Sequence, residues 1–193
     1  MRVIGIDPGL VRTGWAVVEP AGLNAPAGRV TVLGYGLVAP AAGEDLPRRL
    51  AQGASSLRQV LETYRPTAAA LEEIFTAPRH PRSALLMAHM RGVICLVLQE
   101  AGVPVLPLTA TTVKQRLTGS GHASKSQIQR MVLRLAGLAA PPAMRWDESD
   151  ALALAIAGLG QMARPSRAHA GGRLSGRRIA PVVEAVLASS RRR

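Results

Sequence analysis

The chain opens with three β-branched runs, Arg2 to Asp7, Thr13 to Glu19 and Arg29 to Val38, divided only by a Pro-Gly turn and an Ala/Gly/Pro/Asn loop. That spacing predicts three strands in an antiparallel meander. Asp45 then reads as a helix N-cap with Pro47 in the first turn. Leu46, Leu50, Ala54, Leu57, Leu61 and Tyr64 recur at spacings of three and four until Pro66 stops the helix. Thr67 to Glu72 is a fourth strand, apolar enough to be central. A long helix follows from about Pro81 to Ala101, and Val103 to Leu108 forms a fifth strand. Three more helices are predicted: Thr109 to Leu117, Ser124 to about Leu138, and Asp147 to about Met162 after the Pro141-Pro142 break. A meander followed by alternating strands and helices demands an α/β fold. Each crossover lays its helix on the sheet, which gives a five-stranded mixed sheet with helices on both faces.

Charge divides the chain unevenly. Of its 193 residues 24 are Lys or Arg and 12 are Asp or Glu, a formal net charge of +12. Residues 1–163, the folded body, account for +5. Residues 164–193 carry eight Arg against Glu184 alone, hence +7. The tail has little to bury beyond Ile179 to Leu187, and we expect it to be mostly disordered. It reads either as a solubilising extension or as an arm that adds salt-dependent affinity for nucleic acid. A pI near 11.6 points to a polyanionic partner. One cysteine, Cys95, excludes a disulfide scaffold and a Cys-based zinc site, and its apolar neighbours make it a core thiol. No apolar run approaches a membrane span of about 18 residues, and the N-terminus lacks a signal peptide's long apolar stretch. A soluble, cytoplasmic protein that associates with the nucleoid when acting is the expectation. Of the 24 bases only Lys114 and Lys125 are lysines, and they lie close together. A compact charge on a flexible stem suits a single phosphate.

The acids are few enough to weigh singly. Asp7 ends the run Val3-Ile4-Gly5-Ile6, where a charge is costly unless it is paired, holds a metal, or simply bonds the turn that follows. Glu72 and Glu73 end the fourth strand on opposite faces, so one of them shares a sheet edge with Asp7 if strands one and four are parallel neighbours. Asp147 and Asp150, three apart, lie on one helical face, with Glu148 pointing elsewhere. Locally they imitate a capping box with Asp147 as N-cap. The continuation Ala151 to Ala157 is apolar on every side, however, so this helix is buried and its acids face inward. Four acids converging in a basic protein repel one another unless divalent cations occupy the site. All-oxygen ligands favour Mg²⁺ or Mn²⁺ over zinc. Two such ions about 4 Å apart clamp a phosphodiester during in-line displacement, the arrangement of a nuclease.

At these residues the chain closely resembles the crossover junction endodeoxyribonuclease RuvC family, the Holliday junction resolvases of bacteria. The resemblance runs through Ile4-Gly5-Ile6-Asp7-Pro8-Gly9 with Thr13-Gly14-Trp15, Leu71-Glu72-Glu73-Ile74-Phe75, Arg91-Gly92-Val93, Val113-Lys114-Gln115, Lys125-Ser126-Gln127 and Asp147 to Ala153. It covers roughly residues 1 to 160. It implies a ribonuclease H-like fold and a homodimer that makes paired, symmetric nicks in four-way DNA junctions. It further implies two Mg²⁺ ions per site, replaceable by Mn²⁺, and a RuvA–RuvB branch-migration complex as partner. By motif position Asp7, Glu72, Asp147 and Asp150 are the metal-binding catalytic carboxylates, and Lys114 and Lys125 fall near the scissile phosphate. Neither the tail nor the loop at residues 20–28 follows from the resemblance.

Independently, Ser124 with Gln127 reads as a capping box that places Lys125 in a first helical turn, where free amides and the helix dipole attract phosphate. Ser124 and Ser126 join the DNA-binding set there. Phe75, the single phenylalanine, reads as a base-stacking aromatic or as a loop anchor, and the resemblance favours stacking, with Arg79 and Arg82 on phosphates. His122, in a Gly-Ala loop, reads as a surface histidine rather than as an aid to proton transfer, and Trp15 and Trp146 are expected near the site. The long helix from Pro81 is a dimer-interface candidate, although burial within one chain explains its apolar content equally well. Rival readings are a ribonuclease H-type or RNA-processing nuclease on the same fold, an actin-like ATPase and a non-enzymatic DNA-binding module. The ATPase needs a second phosphate loop and a longer chain, and the binding module leaves the acids without purpose.

Overall fold

The computed structural model describes residues 1–9, 11–26, 28–73, 81–138 and 144–163, the side chains of 81–83 excepted. Its strands are β1 (Val3–Asp7), β2 (Thr13–Pro20), β3 (Val30–Val38), β4 (Ala68–Glu72) and β5 (Val105–Leu108). Its helices are α1 (Leu46–Tyr64), α2 (Pro81–Glu100), α3 (Ala110–Thr118), α4 (Lys125–Ala136) and α5 (Trp146–Met162). The strands form one sheet in the order β3-β2-β1-β4-β5. β1, β2 and β3 pair antiparallel as the meander requires, while β1 pairs parallel with β4 and β4 with β5.

Both faces are covered. One apolar cluster joins Val3, Ala16, Val18 and Ala70 of the sheet to α3, α4 and above all α5. The other joins Ile4, Ile6, Val17, Ala69 and Leu71 to Leu57 and Leu61 of α1 and to Met90, Ile94, Val97 and Leu98 of α2. Alternation along each strand sends successive residues to opposite layers, and the two clusters divide β1 and β4 in that way. Cys95, expected in the core, is half-buried at the margin of the second cluster.

Helix boundaries follow local chemistry. The Asp45 carboxylate accepts from the Arg48 N–H at 3.0 Å, and Pro47 sits in the first turn of α1. That helix ends at Arg65, a left-handed residue with φ 47°, immediately before Pro66. Ser124 and Gln127 cap α4 reciprocally. The Ser124 Oγ accepts from the Gln127 N–H at 3.3 Å, and the Ser124 N–H donates to Gln127 Oε1 at 2.7 Å.

Candidate active site

The site forms where β1 and β4 end side by side. Parallel pairing sets Gly5 against Ala70 and Ile6 against Leu71, so Asp7 and Glu72 follow in step at the carboxyl ends of the two strands. Val3 and Ala70 lie in the α5 layer, and Ile6 and Leu71 in the opposite one. Alternation therefore carries Asp7 and Glu72 to the α5 side and Glu73 to the other. This places on the α5 side Glu72, which the resemblance names and strand alternation alone leaves open against Glu73. Arg91 of α2 reaches the same strand end, its Nε donating to the Glu72 carbonyl at 3.2 Å. The turn after Asp7 is closed by Thr13, whose buried hydroxyl donates to the Gly9 carbonyl at 2.8 Å and accepts from the Gly9 N–H at 3.3 Å. That turn has its own hydroxyl bracket, so Asp7 is not needed as its fastener.

α5 supplies the other two acids, and glycine brings it close enough. A Cβ on Gly5 would run into the main chain of Ala151 and Ala155, and one on Gly14 into that of Asp147. The helix thus lies with its backbone directly on β1 and β2, its first turn over the strand ends. Its cap differs from the expectation. The N-cap is Arg145, with extended φ −75° and ψ 159°, and Glu148 turns back to accept the Arg145 N–H at 2.8 Å. Asp147 is not the N-cap, and the capping that the sequence assigned to Asp147 and Asp150 falls to Glu148. The close seating at Gly14 fixes where the helix starts, a tertiary constraint that no local spacing carries. Two acidic residues in the first turn, Asp147 and Glu148, also suit the positive end of the helix dipole.

The four acids act on one another. Burial, reinforced by the charges of Glu72, Asp150 and Asp147, pushes the Asp7 carboxyl up to about 7, opposed by Lys125. Burial also raises Glu72, as does the Asp150 charge, against a hydrogen bond from the Asp7 carboxyl and the pull of Lys125. Lys125, the first residue of α4, reaches across to Asp150 with Nζ 3.3 Å from Oδ2. Lys114 lies on α3 and pairs with no acid among the described residues. The Ser124 hydroxyl is committed to its cap and to the Ser126 hydroxyl at 3.0 Å.

This donor set fits a hard divalent cation. It is all oxygen and partly buried, and burial with like-charge repulsion raises Asp7 and Glu72 even though Lys125 offsets part of that charge. Among the described residues no three His, Cys, Asp or Glu side chains close into a ready-made cage. A hydrated Mg²⁺ needs none, since it keeps waters and takes one or two carboxylates with a substrate phosphate.

Phe75 and Arg79 lie outside the described residues, as does the tail from Arg164, and of Arg82 only the backbone is described. His122 is exposed, as expected. Trp15 is not near the site. It pairs with Ile6 in the sheet, so it faces the opposite layer, where it stacks on Tyr64 with ring centroids 5.4 Å apart. Trp146 does adjoin the acids, and it is 51% exposed. Gly5, Thr13, Gly14 and Arg91 stand within the motifs of the resemblance, but sequence reasoning gave them no structural part in the site. The glycines acquire that part only once α5 is placed, and Arg91 only once α2 is set against the end of β4.

The sheet order and the converging acids define a ribonuclease H-like nuclease. The chain belongs to the family described as crossover junction endodeoxyribonuclease RuvC, whose model matches residues 3–158. The RuvC of Methylobacillus flagellatus is 39% identical over 90% of this chain and 98% of its own length, an alignment that reaches beyond residue 163. That of Chloroflexus aggregans is 41% identical over 81% of this chain and 91% of its own. Among solved structures, Thermus thermophilus RuvC bound to a Holliday junction substrate superposes with a TM-score of 0.74 at 34% identity, covering 81% of this chain and 92% of that one. The yeast mitochondrial Holliday junction resolvase Ydc2, at 14% identity and a TM-score of 0.57, shares the fold.

Proposed function

We propose that this chain is a structure-specific endodeoxyribonuclease that resolves four-way DNA junctions by paired, symmetric nicks during recombination and repair. The observation that carries the chemistry is the coupling of Asp7 and Glu72, on adjacent parallel strand ends, with Asp147 and Asp150 of α5. In this reading the four acids hold two Mg²⁺ ions, with Mn²⁺ able to replace them. When bound, the ions supply Lewis-acid stabilisation to the attacking and leaving oxygens of the phosphodiester.

The protein's own groups do the rest. Asp7 and Glu72 fix their carboxylates through the rigid ends of β1 and β4, and Arg91 holds the Glu72 main chain from behind. Lys125 neutralises Asp150 and stands at the start of α4, where the free amides of Lys125 and Ser126 face an approaching phosphate. Ser124 contributes by holding that helix start in shape, and Lys114 serves the same groove from α3. Phe75 stacks on a base at the crossover, with Arg79 and Arg82 on neighbouring phosphates.

A two-fold junction suits a two-fold enzyme, because an isologous interface sets the distance between two sites. The exposed stripe of α2 supports a homodimer: Leu85, Ala88, Gly92, Leu96 and Gln99 follow helical spacing on one face, and Leu85 and Leu96 are 63% and 56% exposed. A RuvA–RuvB branch-migration complex is the partner that the family implies.

The test is cleavage of a four-way junction, a linear duplex and an RNA–DNA hybrid of matched sequence, with Mg²⁺, Mn²⁺ or EDTA. Metal-dependent cutting confined to the junction is expected. Cutting of the hybrid would keep the nuclease and overturn its substrate.

A further inference from the structure

Trp146 is at odds with the helix it begins. Ser149 and Ala151 through Leu159 are all buried, yet this indole, the residue before Asp147, leaves 51% of its surface in water. Its neighbour Arg145 is held by its main-chain N–H on Glu148 and keeps an exposed guanidinium. An exposed aromatic next in the chain to an exposed arginine that pairs with no acid among the described residues is the composition of a nucleic-acid contact, in which a ring stacks on a base and a charge meets the backbone. The place is also where such help is needed. Asp147 and Asp150 lie on the same helix end, and their field opposes any phosphate that approaches them. A patch so charged is unlike the core of a protein–protein interface, from which charged residues are depleted.

We propose that Arg145 and Trp146 form a substrate-binding pair beside the four acids. The indole stacks on the base or sugar adjoining the phosphate to be cut, and the guanidinium takes the neighbouring phosphate. This rests on the junction-nuclease reading and adds to it a residue pair that positions the cleaved strand.

The two tryptophans make the test direct, since Trp15 is stacked on Tyr64 in the opposite layer. In the full chain carrying Asp7→Asn, titration with a four-way junction should quench indole emission, and Trp146→Phe added to that chain should abolish the quench. Anisotropy of a labelled junction reports binding in parallel. With the acids intact, Trp146→Ala should slow junction cleavage by about tenfold, the loss expected when one base gives up its platform, and Trp146→Phe should recover most of it. Arg145→Ala should lower the slope of log affinity against log salt by about one. Thermal melting of all three should match wild type, which separates a contact from a packing role. If the labelled junction binds but emission is unchanged and Trp146→Ala cuts at the wild-type rate, this inference fails and the nuclease stands. If the junction is neither bound nor cut, both fail. Emission that varies with protein concentration before DNA is added would assign Trp146 to a second copy of the chain and overturn the proposal.

Discussion

Asp7 carries a carboxyl whose titration near 7 is a property of its neighbours, burial first and three like charges after it. In the unfolded chain an aspartate titrates near 3.9, so the folded, metal-free protein binds an extra proton between those values. The stabilisation is complete below about 4 and is lost as pH rises through about 7. In EDTA the melting temperature should therefore fall from about pH 4 to about pH 7 and level off above that. Asp7→Asn should flatten that profile and stabilise the metal-free protein at pH 8 by on the order of 2 kcal/mol. Millimolar Mg²⁺ should restore wild type at high pH, because an ion that binds only the folded state stabilises it. A melting temperature independent of pH would remove the coupled acids from the account. The same asparagine should abolish cleavage while leaving junction binding intact. Lys125→Ala and Lys114→Ala should each reduce kcat by about 10²-fold with little change in Kd, since a charge close to the reacting phosphate serves the transition state more than the bound ground state. Wild-type rates for either would remove that lysine from the groove.

Among the elements, α5 decides whether the site exists. Its main chain rests on Gly5 and Gly14, and Gly158 admits the Ala70 side chain beneath it, where an added Cβ would stand 2.7 Å from the Ala70 Cβ. Gly14→Ala should lift the first turn of α5 away from β2 and separate Asp147 from the strand-end acids. We expect a destabilisation of about 3 kcal/mol or more in urea unfolding, with cleavage lost even in the folded fraction. Arg65→Gly should do the opposite at the end of α1, adding about 1 kcal/mol by relieving a left-handed residue. Much of this architecture was readable in the residues themselves. The β-branched runs, the Asp45 cap, the stop before Pro66 and the Ser124–Gln127 box are local devices, and local devices leave local marks. The start of α5 left no such mark. Asp147 is the better capping residue by type, and Arg145 takes the position because Gly14 seats the helix there. The face of Trp15 was hidden for a related reason, since only the register of β1 against β2 sends it away from Asp7. Alternation alone left Glu72 and Glu73 open; the resemblance named Glu72, and the pairing of β1 with β4 supplies the physical reason.

For the whole molecule, a cluster of interacting acids inside a chain of net charge +12 is the organising contrast. In the proposed reading the positive field gathers a polyanion, and the acids admit its phosphate once cations neutralise them. Charge was countable from the sequence, and so was its division between body and tail. The symmetry of the assembly was not, because an isologous interface depends on a surface rather than on a motif. The exposed stripe of α2 is where the proposed homodimer would place that surface. Leu96→Glu should place a charge at its centre, yield a monomer by light scattering, and leave single-site nicking in place while the pairing of nicks is lost. The most direct measurement of the central claim uses a supercoiled plasmid that extrudes a cruciform, incubated with the full chain and Mg²⁺ and followed by product topology. The account predicts linear DNA as the first product, because two sites cut opposing strands of one junction within a single encounter, with no product in EDTA or with Asp7→Asn. Nicked circles accumulating without linear product, or any cutting that survives EDTA, would contradict it.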